Sequence, residues 1–176
     1  MIEIRPERPS DGPVIAELVD LALGQRAVAS PAARMRAGTS PVPGLALVAL
    51  NGLGEVIATL RFWPVRIGTT VPALQLGPLA VRPERRGEGF GRALVRTGLV
   101  RARAEGHRIV VLIGDPAYYR SFGFAPALPH GIRLPSPDDE HRLQILALVA
   151  GALDGVAGVV APAVESKHRR GTRGHA

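Results

Sequence analysis

The residues best suited to chemistry stand six in a row. Arg86-Gly87-Glu88-Gly89-Phe90-Gly91 joins an apolar run ending at Leu79-Ala80-Val81 to a segment with Leu94, Val95, Leu99 and Val100 at helical spacing. Glycine lets successive backbone N–H groups converge on one concavity, and a following helix adds the positive end of its dipole. Strand, glycine turn and helix in that order make a cradle for a phosphate or pyrophosphate. Arg85, Arg86 and Arg92 can add charge-assisted hydrogen bonds. Two other phosphate loops do not fit. A Walker loop needs a lysine that this region lacks, and the dinucleotide fingerprint needs glycine where Arg92 stands. The competing reading is a glycine-rich loop whose arginines are merely solvated; the strand before it and the helix after it argue against that.

Other reactive groups are few. The chain has no cysteine, which excludes a thiol nucleophile, a thiolate zinc site and an iron–sulfur cluster. The five histidines (His107, His130, His141, His168 and His175) show no metal-ligand spacing, so no metal is expected. Seven aromatic residues occur in the whole chain, and four of them fall between Tyr118 and Phe124.

Charge is equally local. Lys+Arg number 22 against 15 Asp+Glu, a net charge of +7 over 176 residues. Residues 82–103 carry +5 and residues 166–176 carry +4, so the remainder is slightly acidic. Such a distribution suits one anion site better than a basic surface. A nucleic-acid-binding module is the alternative, but its expected stacking aromatics are missing among the arginines, apart from Phe90. Met1-Ile-Glu-Ile-Arg5 has neither a basic nor an apolar signal region, so a cytoplasmic address and no membrane partner are expected. Ile145 to Val164 is apolar but punctuated by Gly151, Gly155, Gly158 and Pro162; it reads as two buried strands around a Leu153-Asp154-Gly155 turn rather than a membrane span.

The elements that must hold the turn follow from pattern. Ile2 and Ile4 alternate with Glu3 and Arg5 as in a strand. Asp11 is placed to cap a helix ending near Gly24, and Ser30-Pro31 to start a short one through Met35. Strands over 44–50 and 56–66 flank an Asn51-Gly52-Leu53-Gly54 hairpin turn. A strand over 73–81 leads through the glycine turn to a helix over 89–105. Ile109 to Ile113 reads as a strand buried on both faces, and Asp115-Pro116 caps a short helix ending at Gly123. The whole is a mixed α/β domain over residues 1–165 with a basic flexible tail over 166–176.

Arg86-x-x-Gly89-x-Gly91 is similar to the Arg/Gln-x-x-Gly-x-Gly/Ala signature of the GNAT (general-control-related N-acetyltransferase) superfamily. Ala117-Tyr118-Tyr119-Arg120-Ser121-Phe122-Gly123-Phe124 resembles a second segment of the same family. The resemblance implies a central, mostly antiparallel mixed sheet flanked by helices, and acetyl-CoA as cosubstrate. It also implies that Arg86, Gly87, Glu88, Gly89, Phe90, Gly91 and Arg92 hold the pyrophosphate while Leu79, Ala80 and Val81 pair with the pantetheine arm. Tyr119 aligns with a tyrosine that the family places beside the thioester sulfur. A phenol stays protonated at neutral pH and can donate to the departing thiolate; for Tyr118, packing is the favoured role.

The implied reaction is N-acetylation of a primary amine, borne by a small molecule or a peptide, by direct attack. A non-catalytic acyl-CoA-binding domain on the same fold is the alternative. The strand before the turn, Pro72 to Val81, lacks the carboxylate that family members often use as base, so no base is assigned. Asp115 reads as a cap, His130 as solvated, and Asp138-Asp139-Glu140 as an exposed acidic run able to attract a cation. A monomer and a homodimer are both compatible with the sequence.

Overall fold

A computed structural model describes residues 1–164; the basic tail expected at 166–176 lies outside the described residues. The chain runs β1 (Glu3–Pro6), α1 (Gly12–Leu23), α2 (Arg26–Ala29), α3 (Pro31–Met35), β2 (Ala46–Leu50), β3 (Val56–Ile67), β4 (Val71–Val81), α4 (Phe90–Ala104), β5 (Ile109–Ile113), α5 (Pro116–Arg120), β6 (Ala125–Pro126), β7 (Ile132–Arg133), β8 (Leu143–Ala147) and β9 (Gly158–Pro162). The sheet order is β1-β2-β3-β4-β5-β8-β6, with β9 on β3 and β7 on β9. Neighbours in the main path are antiparallel except β4 and β5.

Alternation along the strands decides which helix each face receives. Leu47, Ala49, Leu60, Phe62, Leu74 and Leu76 join Leu94, Val95 and Ala102 of α4 in one core. Val48 and Leu50 turn the other way and meet Ile15 of α1. Farther along that face, Met35 packs with Val65, Ile67, Val111 and Leu143. Gln75 is fully buried there, and its Nε2 donates to Ala32 O at 2.9 Å, which ties α3 to β4.

Several caps are where the sequence puts them. Ser30 Oγ accepts from Ala33 N at 3.1 Å and Asp115 Oδ1 from Ala117 N at 3.0 Å. Asn51 Oδ1 closes the hairpin turn by accepting from Leu53 N and Glu55 N. Other expectations need correction. Asp11 stands before α1, but its carboxylate accepts from Arg8 N and from Arg5, whose guanidinium reaches it at 2.7 Å. Val100 is 69% exposed; the inner face of α4 is Phe90, Gly91, Leu94, Val95, Gly98 and Ala102. The apolar segment from Ile145 forms no hairpin. Its first strand, β8, pairs with β5 and β6, while β9 crosses over to pair with β3 through Val65↔Pro162 and Ile67↔Val160. Helix α2 has no strong cap and carries no sequence signal. No helix among the described residues is long and apolar enough to cross a membrane.

Candidate active site

Two features of β4 open the sheet. The first is a bulge, in which Gly77 and Pro78 stand opposite the single residue Arg61, between the pairs Leu60↔Leu79 and Phe62↔Leu76. Gly77 has φ of 135°, which L-residues avoid, and its carbonyl accepts from Trp63 Nε1 at 2.6 Å. The second is a short parallel seam. β4 and β5 pair only at Leu74↔Val110 and Gln75↔Val111, and beyond those pairs the strands part. The gap is a cleft of about 940 Å³ with Leu76, Gly77, Pro78 and Leu79 on one side and Ile113, Gly114, Tyr118 and Tyr119 on the other. The Gly-Pro bulge is a signal the sequence carried, since proline inside a strand belongs at edges and irregularities.

At the end of β4 the glycine turn has the geometry of an anion cradle. Gly87 and Gly89 have φ of 82° and 91°, and Gly89 caps α4 with no side chain over the helix end. Among the described residues, no acceptor takes the backbone amides of Gly87, Glu88, Gly89, Phe90, Gly91 or Arg92. Orphan donors at the start of a fifteen-residue helix suit a phosphate group.

The arginines divide. Arg85 donates to Glu88 at 2.6 Å and lies over the Phe90 ring. Arg92 donates to Ser121 Oγ at 2.9 Å and lies 5.4 Å from the Tyr118 and Phe122 centroids, so its guanidinium docks α5 against α4. Arg86 is exposed, lines the cleft, and forms no ion pair with a described residue.

Both phenols line the cleft. Tyr119 packs edge-on against Tyr118 and Phe124, over a glycine that leaves no room for anything larger. A Cβ on Gly114 would stand 2.7 Å from the Tyr119 ring. Loss of solvation, with smaller pushes from Tyr118 and Asp115, holds the Tyr119 hydroxyl well above the ordinary phenol range. Tyr118 is raised less, because Arg92 and Arg96 oppose its burial. Its hydroxyl would sit 3.2 Å from a Cβ on Gly91, against the start of α4.

The acids and histidines fall into place around this core. Asp115 is a cap, as read from the sequence, and His130 is exposed and off the cleft. The acidic run is not uniformly exposed: Glu140 is buried and accepts from Leu134 N and Arg133, while Asp139 lines the cleft beside Arg142. Among the described residues no group of three or more His, Asp or Glu is placed to hold a metal ion.

A second cavity of about 640 Å³ lies between α1, α2 and the middle of β3, and includes Arg36, Arg61, Trp63 and Pro78. Arg36 and Pro78 also line the cleft, so the two spaces meet there. Phe62, beside Trp63 in β3, is fully buried against α4 and lines neither.

Comparison with known proteins gives a consistent picture. The model of the acetyltransferase (GNAT) domain family matches residues 3–127. The chain is 40% identical over 117 residues to the uncharacterised N-acetyltransferase YhbS of Escherichia coli (strain K12), covering 66% of this chain and 70% of that one. It is 32% identical to the uncharacterised N-acetyltransferase YjhQ of the same organism over 138 residues, 76% of each chain. The crystal structure of Escherichia coli YhbS in complex with CoA superposes with a TM-score of 0.79 at 36% identity, covering 92% of this chain and 89% of that one. A GNAT family acetyltransferase from Brucella melitensis in complex with acetyl-CoA gives 0.66 at 33%, covering 92% and 95%. The parted strands, the uncapped glycine turn and these likenesses converge: the chain belongs to the GNAT family of N-acetyltransferases.

Proposed function

We propose that this enzyme transfers an acetyl group from acetyl-CoA to a primary amine by direct attack, with Tyr119 donating a proton to the leaving thiolate. The observation that carries the reading is the cleft itself. It leads from Arg86, beside the uncapped amides of Gly87 to Arg92, along Leu79 to the two phenols. Those amides and Arg86 suit the pyrophosphate, and the edge of β4 at Leu79, Ala80 and Val81, parted from β5, is free to pair with an amide-bearing arm. Relatives with this architecture hold CoA and acetyl-CoA.

When bound, acetyl-CoA supplies the thioester carbonyl that the amine attacks. The chain's part is to hold one proton at Tyr119 Oη, in a site where burial keeps the phenol neutral. As the new C–N bond forms and the C–S bond breaks, that proton goes to sulfur; the amine's proton leaves to solvent, and solvent returns a proton to Tyr119 Oη, which restores the neutral phenol. The amine enters from the cavity beneath α1 and α2, which meets the cleft at Pro78.

Release of CoA thiol with a panel of primary amines tests the reading. Tyr119→Phe is expected to lower kcat by about 100-fold or more, while calorimetric affinity for acetyl-CoA stays within about twofold of wild type. Unchanged turnover removes the role from Tyr119. Acetyl-CoA binding without thiol release from any amine favours the non-catalytic alternative.

A further inference from the structure

Arg36 follows α3 directly and is half-buried, and its guanidinium has no carboxylate within ion-pair distance among the described residues. Its partners are a carbonyl and an aromatic face: Nη2 donates to Ala27 O at 3.0 Å, and Cζ lies 5.7 Å from the Trp63 ring centroid. Burial and the nearby charge of Arg61 both work against its protonated form. A guanidinium that has lost water and gained no anion is costly in the free protein and well prepared for an anionic ligand. Arg61 is different, since Glu7 holds it in a two-pronged pair at 2.9 and 3.0 Å. The one carboxylate lining the same cavity, Asp20, is exposed and pairs with neither arginine.

We infer that Arg36 is an anion-docking residue, and that the acceptor is an amine carrying a carboxylate, bound in the cavity of Arg36, Arg61 and Trp63 with its amine toward Pro78 and the cleft. This rests on the acetyltransferase reading above. A carboxylate there could also come from the acyl group of the donor, since Arg36 lines the cleft as well. The acceptor is the assigned source because Arg61 and Trp63 line only the cavity under α1 and α2. The guanidinium lies over Trp63 and spends one Nη2 hydrogen on Ala27 O; its remaining N–H groups can donate two parallel hydrogen bonds, which a carboxylate can accept and a carboxamide cannot.

Trp63 is the only tryptophan in the chain, so occupancy at Arg36 has an optical readout independent of turnover. Primary amines of increasing chain length are compared as matched pairs, ω-amino carboxylate against ω-amino carboxamide, in the presence of CoA. The carboxylates are expected to give a saturable change in Trp63 emission and the carboxamides none. In turnover with acetyl-CoA, kcat/KM for the best carboxylate should exceed that for its carboxamide by about 10- to 100-fold, mainly through KM. Arg36→Met should bring that ratio close to one, and Arg36→Lys, which keeps the charge, should retain part of it. Equal emission changes or equal kcat/KM values within pairs overturn the inference and leave the acetyltransferase reading standing. Discriminating emission without thiol release keeps Arg36 as an anion-docking residue but sinks that reading, and the acceptor assignment with it. An Arg36-dependent preference for succinyl-CoA over acetyl-CoA, with no discrimination between acceptors, assigns the anion to the donor and overturns the acceptor assignment.

Discussion

At the scale of single residues, Tyr119 is kept protonated by what surrounds it. Its ring lies against Tyr118, Phe124 and the bare backbone of Gly114, and loss of water disfavours the phenolate. For an acid, a raised pKa extends the protonated form to higher pH than the usual value of ~10. The kcat–pH profile is therefore expected to show no fall from loss of the general acid up to about pH 10. A falling limb with an apparent pKa near 8 or 9 that vanishes in Tyr119→Phe would contradict this. Much at this scale was legible in the sequence. Gly87, Gly89, Asp115, Ser30 and Asn51 each act through their own local backbone geometry, which residue type and spacing reveal. The roles of Arg36 and Arg92 were not legible, because Arg36 depends on β3 and Arg92 on α5. Arg92 was grouped with the phosphate-binding cations by its place in the chain, yet its guanidinium holds Ser121.

At the scale of elements, α4 carries the glycine turn and must lie close to β3. Gly98 sets that distance. A Cβ there would sit 2.5 Å from Phe62 Cε2 and 2.8 Å from Cζ, and Phe62 is fully buried and unable to yield. Alanine gains about 1 kcal/mol as a helix former over glycine, but overpacking costs about 1–3 kcal/mol. Gly98→Ala is thus expected to destabilise the fold in denaturant titration despite the better propensity; a raised unfolding midpoint would refute the packing argument. Helix bounds were readable because caps and periodicity are local signals. The pairing of β8 and β9 was not. An apolar strand bounded by glycine turns looks the same whether it pairs with its neighbour in sequence or, as here, with β3 across residues 148–157. The bulge at Gly77-Pro78 interrupts the single strand expected over 73–81; proline within a strand is its signal, and only the fold reveals that it faces both cavities.

At the scale of the whole molecule, the concentrated charge and the two cavities serve one arrangement. The +5 segment supplies the backbone and the Arg86 of the proposed phosphate cradle, while Arg85 and Arg92 are engaged within the protein. The cavity proposed for the acceptor was beyond the reach of pattern because α1, α2, the residue after α3, β3 and the β4 bulge all contribute to it. Cleft and cavity have separate walls except at Arg36 and Pro78. Two such spaces can be filled together, and the chain has no cysteine to take the acyl group in between. The order of events is then visible in initial rates alone. Double-reciprocal plots at several fixed amine concentrations should intersect, as a ternary complex requires, and a family of parallel lines would mean that the first product departs before the second substrate arrives.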